Sequence, residues 1–309
     1  MNRQLLVAEF LATPWAMMPE RLNAFAAVIG RWSAGIAPAE DTLAKIESDR
    51  QLRTERKASV SAGGGSGIAV LRFYGVVTQR GNMVDDVSGP GSTSTQKFSS
   101  ALRQALADES VGQILIDIDS PGGSVYGVAE LADEIYRARS QKPVVALANS
   151  LAASAAYWVG SAASEFYVTP GGEVGSIGVW QAHFDYSEAF ASEGVKPTLI
   201  SAGKYKVEGN PYAPLDEEAL GFMQSRVDDY YAAFTKAVAK GRGVSLSDVR
   251  DGMGQGRVLG ADMAAEQRMV DGIMTFDEVL RKMQRSAKAN ASGRNRIEEV
   301  RRSIALAAL

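Results

Sequence analysis

Gln113-Ile-Leu-Ile-Asp-Ile-Asp119-Ser-Pro-Gly-Gly-Ser-Val125 decides the fold. The apolar run Gln113 to Ile118 is short and rich in β-branched residues, so it reads as a buried strand. Asp119-Ser-Pro-Gly-Gly123 is turn chemistry, and Val125 to Ala138 has helical periodicity. Strand, tight turn and helix form the first half of a strand-helix-strand crossover. Working outward, the same alternation repeats. Ile68 to Val77 reads as a strand. Thr95 to Ala107 reads as a helix, with Phe98, Leu102 and Leu106 four apart. Val144 to Ala148 is a strand and Ala153 to Ala163 a helix. Short strands are expected near Phe166–Val168, Ile177–Phe184 and Thr198–Ile200. Asp216 to Lys240 is a long amphipathic helix, with Leu220, Met223, Val227, Tyr230, Phe234 and Val238 along one stripe that suits a core or a subunit interface. Such alternation implies an α/β fold, a mostly parallel sheet covered by helices.

Three segments are expected. Residues 1–62 form a helical arm, with apolar spacing at Leu22, Phe25, Val28 and Ile29, and end in a Gly-rich linker around Ser61-Ala-Gly-Gly-Gly-Ser-Gly67. That linker precedes a strand, whereas phosphate-binding loops open helices. Residues 63–285 are the main domain, and 286–309 a basic tail, read as a solvated end with nucleic acid not expected as a partner. The chain has 309 residues, 46% of them hydrophobic and 22% charged, which suits a globular protein. With no cysteine and one histidine, His183, disulfides, thiolate metal sites and multi-histidine metal sites are excluded within one chain. No metal or cofactor is expected. Glu9 and Pro14 interrupt the apolar stretch Leu5 to Met18, so neither a signal peptide nor a membrane span is expected there.

The candidate chemistry lies in four stretches. Ser154 stands in Leu151-Ala-Ala-Ser-Ala-Ala-Tyr-Trp158, and Lys206 in Ala202-Gly-Lys-Tyr-Lys-Val-Glu-Gly-Asn-Pro211. A serine hydroxyl is a weak nucleophile until a base takes its proton. A lysine serves as that base only when neutral, against an ordinary pKa of about 10.4. Taken alone, Ser154 reads as a packing serine and Lys206 as a solvated one; the joint pattern makes them a nucleophile and base pair. Lys204, two residues away, is the rival base. Gly122 or Gly123, with Ala155, offer backbone amides to an oxyanion. Ser176, in Gly175-Ser-Ile-Gly178, can orient a lysine amine. Tyr157 and His183 are candidates for a substrate groove. A triad of Ser154, His183 and Asp185 is disfavoured, because residues two apart on a strand share a face and grip poorly edge-on.

Asp119-Ser-Pro-Gly-Gly-Ser-Val125, Ala153-Ser-Ala-Ala-Tyr-Trp158, Gly175-Ser-Ile-Gly-Val179 and Gly203-Lys-Tyr-Lys-Val-Glu-Gly-Asn-Pro-Tyr212 resemble, in this order, the motifs of the S49 peptidases. Gly260-Ala-Asp-Met-Ala-Ala-Glu-Gln-Arg-Met-Val-Asp-Gly-Ile273 resembles the family's closing element, so the likeness covers roughly residues 67–280. It is greatest to the phage head-protease branch. The resemblance implies a ClpP/crotonase-like fold with an N-terminal helical extension. It implies Ser154 as nucleophile, Lys206 as base in preference to Lys204, Ser176 as its orienting hydroxyl, and Gly122 and Gly123 in the oxyanion region. It further implies a homo-oligomer with a dyad that neighbouring protomers can share, and protein substrates such as scaffold, portal, capsid proteins or the chain's own termini. The setting implied is the procapsid in the host cytoplasm. Two departures stand out: Ala155-Ala156 replaces the Gly-Gly of bacterial members, and only about two dozen residues follow the domain, so no scaffold in cis is expected. The alternatives are a cellular or prophage signal-peptide or quality-control peptidase, a catalytically idle scaffold component, and an acyl-CoA enzyme of the same fold.

Overall fold

The run centred on Ile116 becomes β5 (Gln113–Ser120), the middle of the larger sheet. In the computed structural model, which describes residues 13–19, 67–80 and 92–287, β5 lies parallel between β2 (Ile68–Tyr74) and β7 (Val144–Ala153). Its side chains alternate between two cores, as a strand buried on both faces requires. Ile114, Ile116 and Ile118 join the main cluster, while Leu115 joins a smaller one with Val145, Leu147, Tyr167, Val279 and Met283. The main cluster is roofed by α1 (Thr95–Ala107), α2 (Val128–Ala138) and α3 (Ala155–Ser161). Residues 276–287, which are helical, supply Val279 and Met283 to the smaller one.

The sheet forks along β7. Val145 to Ala148 pair with β8 (Glu165–Val168), and Leu151 to Ala153 then pair with β9 (Glu173–Gly175). Ser150, with φ of 112°, sits where the strand changes partner. β10 (Val258–Gly260) adds to β9 antiparallel, and β11 (Gly272–Ile273) adds to β8 parallel. A second sheet runs β1 (Trp15–Met17), β6 (Gly122–Ser124), β3 (Val76–Thr78), β4 (Ser92–Ser94). This is the α/β architecture, a mostly parallel sheet covered by helices, expected from the sequence.

The connection after β9 carries α4 (Ser187–Ser192) and a loop before α5 (Glu217–Arg242). Asp216 caps α5, its carboxylate accepting from Ala219 N at 2.7 Å, and Gly243 ends it at φ 65°. Phe234 of α5 stacks on Trp158 of α3, with ring centroids 4.6 Å apart. Below α5 lie α6 (Leu246–Asp251) and α7 (Ala261–Glu266).

Two expectations need correction, on the short strands and on residues 15–17. Ile177–Phe184 and Thr198–Ile200 are not strands; only Trp180 makes an isolated bridge. The stripe of α5, read as core or interface, is buried at Phe234 and Val238 and exposed at Leu220, which does not contradict that reading. Residues 15–17, expected in a helical arm, form β1. Pro14 lacks an amide donor, and distant partners on β6 satisfy the backbone instead. The rest of that arm, the Gly-rich stretch up to Ser66 and the tail beyond residue 287 lie outside the described residues.

Candidate active site

The fork of β7 delivers Ser154. Ala153 is the last paired residue, in register with Gly175 of β9, so Ser154 and Ser176 leave neighbouring strands side by side. Ser154 N–H donates to Gly175 O at 2.7 Å, and Ser176 N–H to Arg257 O at 2.7 Å. Both serines have positive φ, 55° and 53°. Ser154 lies at ψ −117°, a conformation L-residues avoid, and its strain is held by the paired strand before it and the buried helix after it. A strand-to-helix turn of this kind presents a hydroxyl away from its own backbone. Ser154 is 1% exposed, and its Oγ donates to Gly178 O at 3.4 Å.

Gly122 approaches from the other sheet. A Cβ on it would meet Ala153 O at 2.9 Å, Ser154 Cβ at 3.0 Å and Ala16 O at 2.3 Å, and its φ is +93°. Only glycine fits there. On Gly123 a Cβ would meet Val77 O at 2.0 Å. Gly122 N–H already donates to Ser120 Oγ at 3.2 Å, while Ser120 Oγ donates to Gly75 O at 2.6 Å. Ala155 opens α3, where a first-turn amide has no acceptor within its own helix.

The other candidates are dispersed. Lys206 lies exposed in the loop before α5, and no hydrogen bond joins it to Ser154 in the same chain. Lys204 is also exposed. It donates to Glu218 Oε1 at 2.8 Å and to Tyr205 Oη at 2.9 Å. The Glu218 bond raises its pKa, which works against its serving as a base. His183 places Nε2 3.1 Å from Asn210 O, and Asp185 accepts instead from Ser187 N at 2.8 Å, so no triad forms. Tyr157 is not a groove residue: it is fully buried, donates to Met269 O at 3.0 Å and packs on Phe166. Burial pushes its hydroxyl pKa well up, so it stays a neutral core group. Among the described residues no group of three or more His, Cys, Asp or Glu could hold a metal, and no helix is long and apolar enough to cross a membrane. Sequence reasoning missed β1, whose Ala16 carbonyl reaches the Gly122 position. No local pattern marks a strand whose partners lie a hundred residues away.

The motifs around this site can be set beside known proteins. The model of Peptidase family S49 matches residues 136–290. The chain belongs to that family. The matched span holds Ser154, Ser176 and Lys206. The head-tail preconnector protein GP5 of Enterobacteria phage P21 is 32% identical over 301 residues, covering 94% of this chain and 59% of that protein. Capsid assembly protease C of Escherichia phage lambda is 40% identical over 210 residues, 68% of this chain and 46% of that one. The putative signal peptide peptidase SppA of Enterococcus faecium is 28% identical over 194 residues, 62% of this chain and 56% of that one. The chain spans about half the length of these curated relatives. A solved membrane-bound stomatin-specific protease gives a TM-score of 0.43 at 16% identity, over 70% of this chain and 83% of that one, too distant to add to the fold derived above.

Proposed function

We propose that the chain is an endopeptidase that cuts capsid-associated proteins during phage head maturation, with Ser154 as nucleophile and Lys206 as base. The observation that carries this reading is the strained Ser154, pressed against Gly122 and set in register beside Ser176. The phage relatives, which match more of the chain at higher identity than the signal peptide peptidase, favour the head as the setting. Neutral Lys206 takes the Ser154 proton as Oγ attacks the scissile carbonyl. The amide of Gly122 or Gly123, with that of Ala155, holds the oxyanion, Lys206 Nζ–H protonates the leaving amine, and water hydrolyses the acyl-enzyme.

Because Lys206 is exposed and apart from Ser154 in its own chain, the reading takes the lysine from a neighbouring copy. Leu199, Ile200 and Tyr205, which flank Lys206 in sequence, are exposed, as are Leu220 and Phe222 at the start of α5. Such apolar exposure suits a covered interface. Docking there would dehydrate Lys206, and dehydration favours the neutral amine that a base must be. Ser176 Oγ, next to Ser154, would then orient it. Scaffold, portal and the chain's own termini are the proposed substrates. Intact mass spectrometry of the chain co-expressed with the products of neighbouring genes tests this. Discrete fragments should form with the wild type and not with Ser154→Ala. Fragments formed equally by Ser154→Ala would overturn the assignment.

A further inference from the structure

β1 lies in a groove between the two halves of the proposed site. Along one edge it pairs antiparallel with β6: Trp15 faces Ser124, Ala16 faces Gly123 and Met17 faces Gly122. Met18 N–H also donates to Pro121 O at 3.2 Å. Along the other edge Trp15 bridges Trp180, with Trp15 N to Trp180 O at 2.9 Å and Trp180 N to Trp15 O at 3.0 Å. Trp180 Nε1 donates to Met17 O at 2.9 Å. The segment is thus an extended peptide bonded on both edges, the way a groove takes a peptide as an added strand. Its place relative to the nucleophile is specific. The Ala16 carbonyl oxygen and Ser154 Cβ both crowd the point where a Cβ on Gly122 would stand, at 2.3 and 3.0 Å. Trp15, Ala16 and Met17 are 5%, 0% and 1% exposed, and Ser154 beneath them 1%. With β1 in place, the groove beside Ser154 has no room for a substrate peptide.

We propose that residues 13–18 occupy the substrate groove in cis, so that the chain keeps its own serine covered until this segment is withdrawn. The inference rests on Ser154 being the nucleophile. It also describes the class of peptide the groove takes: an extended segment with an alanine-sized residue opposite Gly123 and bulky apolar residues on either side, as in Trp15-Ala16-Met17. β1 is built for release. It has three residues, far fewer pairings than β5 or β7, and prolines at 14 and 19, which donate no hydrogen bond, bracket it. As a tethered occupant it competes at millimolar effective concentration, so a free peptide must displace it or find it already gone.

The test uses full-length chains carrying Ser154→Ala, so that nothing is cut, and a fluorescent peptide with the sequence of residues 13–19. A second substitution, Ala16→Glu, puts a large charged side chain at a site with no free space and evicts the strand. Anisotropy should show the Ala16→Glu chain binding the peptide at least tenfold more tightly than the chain with Ala16. Equal binding, or none, by two folded chains would overturn the proposal. If Ala16→Glu does not fold, hydrogen exchange on the Ser154→Ala chain decides. Residues 15–18 should exchange at least a hundredfold faster than β5 and β7, because the strand detaches while the sheet stays closed. Exchange in step with β5 would make β1 a fixed wall and refute it. Neither readout needs turnover, so loss of the Ser154 assignment and loss of this inference are separate results.

Discussion

Ser154 carries two conflicting demands. At φ 55° and ψ −117° its backbone conformation costs about 1–3 kcal/mol for a residue with a Cβ. Glycine adopts that conformation without the penalty. Ser154→Gly should therefore raise stability by about 1 kcal/mol, measured as the denaturant midpoint, while abolishing cleavage. A lower midpoint would mean the strain is not real. The sequence marked this residue, and Gly122, Gly123 and Ser176 with it, because each stands in a compact motif whose chemistry is local. Tyr157 was misjudged because adjacency to Ser154 says nothing about direction: one helical turn carries its ring into the core. Lys206 shows the opposite limit. The sequence names the residue, but on the proposed reading its serine belongs to another copy, and no pattern within one chain marks such a pairing.

At the scale of elements, the long periodic segments were legible. Thr95–Ala107 is a helix as read, and the apolar runs at Gln113 and Val144 became the two central strands. The short runs failed. Ile177–Phe184 has the composition of a strand, but glycine at 178 and the departure of the chain from β9 leave it only the bridge at Trp180. β1 was hidden because its hydrogen bonds are all long-range. One contact fixes the end of α5 to β8. Arg242 Nη1 and Nη2 donate to Asp271 Oδ2 and Oδ1 at 2.8 and 2.9 Å, and Phe166 N–H donates to Asp271 Oδ2 at 2.6 Å. Burial works against the Asp271 carboxylate, but the Arg242 fork outweighs it and holds the pKa below the ordinary 3.8. A carboxylate with a lowered folded pKa stabilises above its unfolded value and loses that contribution as pH falls through the folded one. Arg242→Met should cost about 2 kcal/mol at pH 7, discounted because Asp271 retains solvent. The gap from wild type should narrow below pH 3.8. A gap independent of pH would assign the loss to packing alone.

At the scale of the whole molecule, the unpaired surface matters most. Ile200 is 96% exposed in a chain whose other large apolar residues are mostly covered. If the loop that carries Lys206 docks on a second copy, Ile200→Asp should shift the chain toward monomer in light scattering and lower the reactivity of Ser154, with the fold intact by circular dichroism. An unchanged assembly would place the interface elsewhere. The covered groove and the borrowed lysine together suggest a protease that is silent alone: it needs a neighbour to supply the base and the withdrawal of β1 to admit a substrate. On the two proposals together, assembly supplies the first condition and displacement of β1 by a peptide the second.

The most direct measurement is intact mass spectrometry after fluorophosphonate treatment of Lys206→Ala chains, alone and reassembled with Ser154→Ala chains. The two polypeptides differ in mass, so the labelled one is identified without any substrate. The predicted result is no adduct on either variant alone and an adduct on the Lys206→Ala chain after mixing, at roughly a quarter of all sites in a symmetric ring of equal parts. With the wild type labelled, a mixture that stays unlabelled would contradict the shared dyad, and an adduct on the Ser154→Ala chain would contradict Ser154 as the nucleophile.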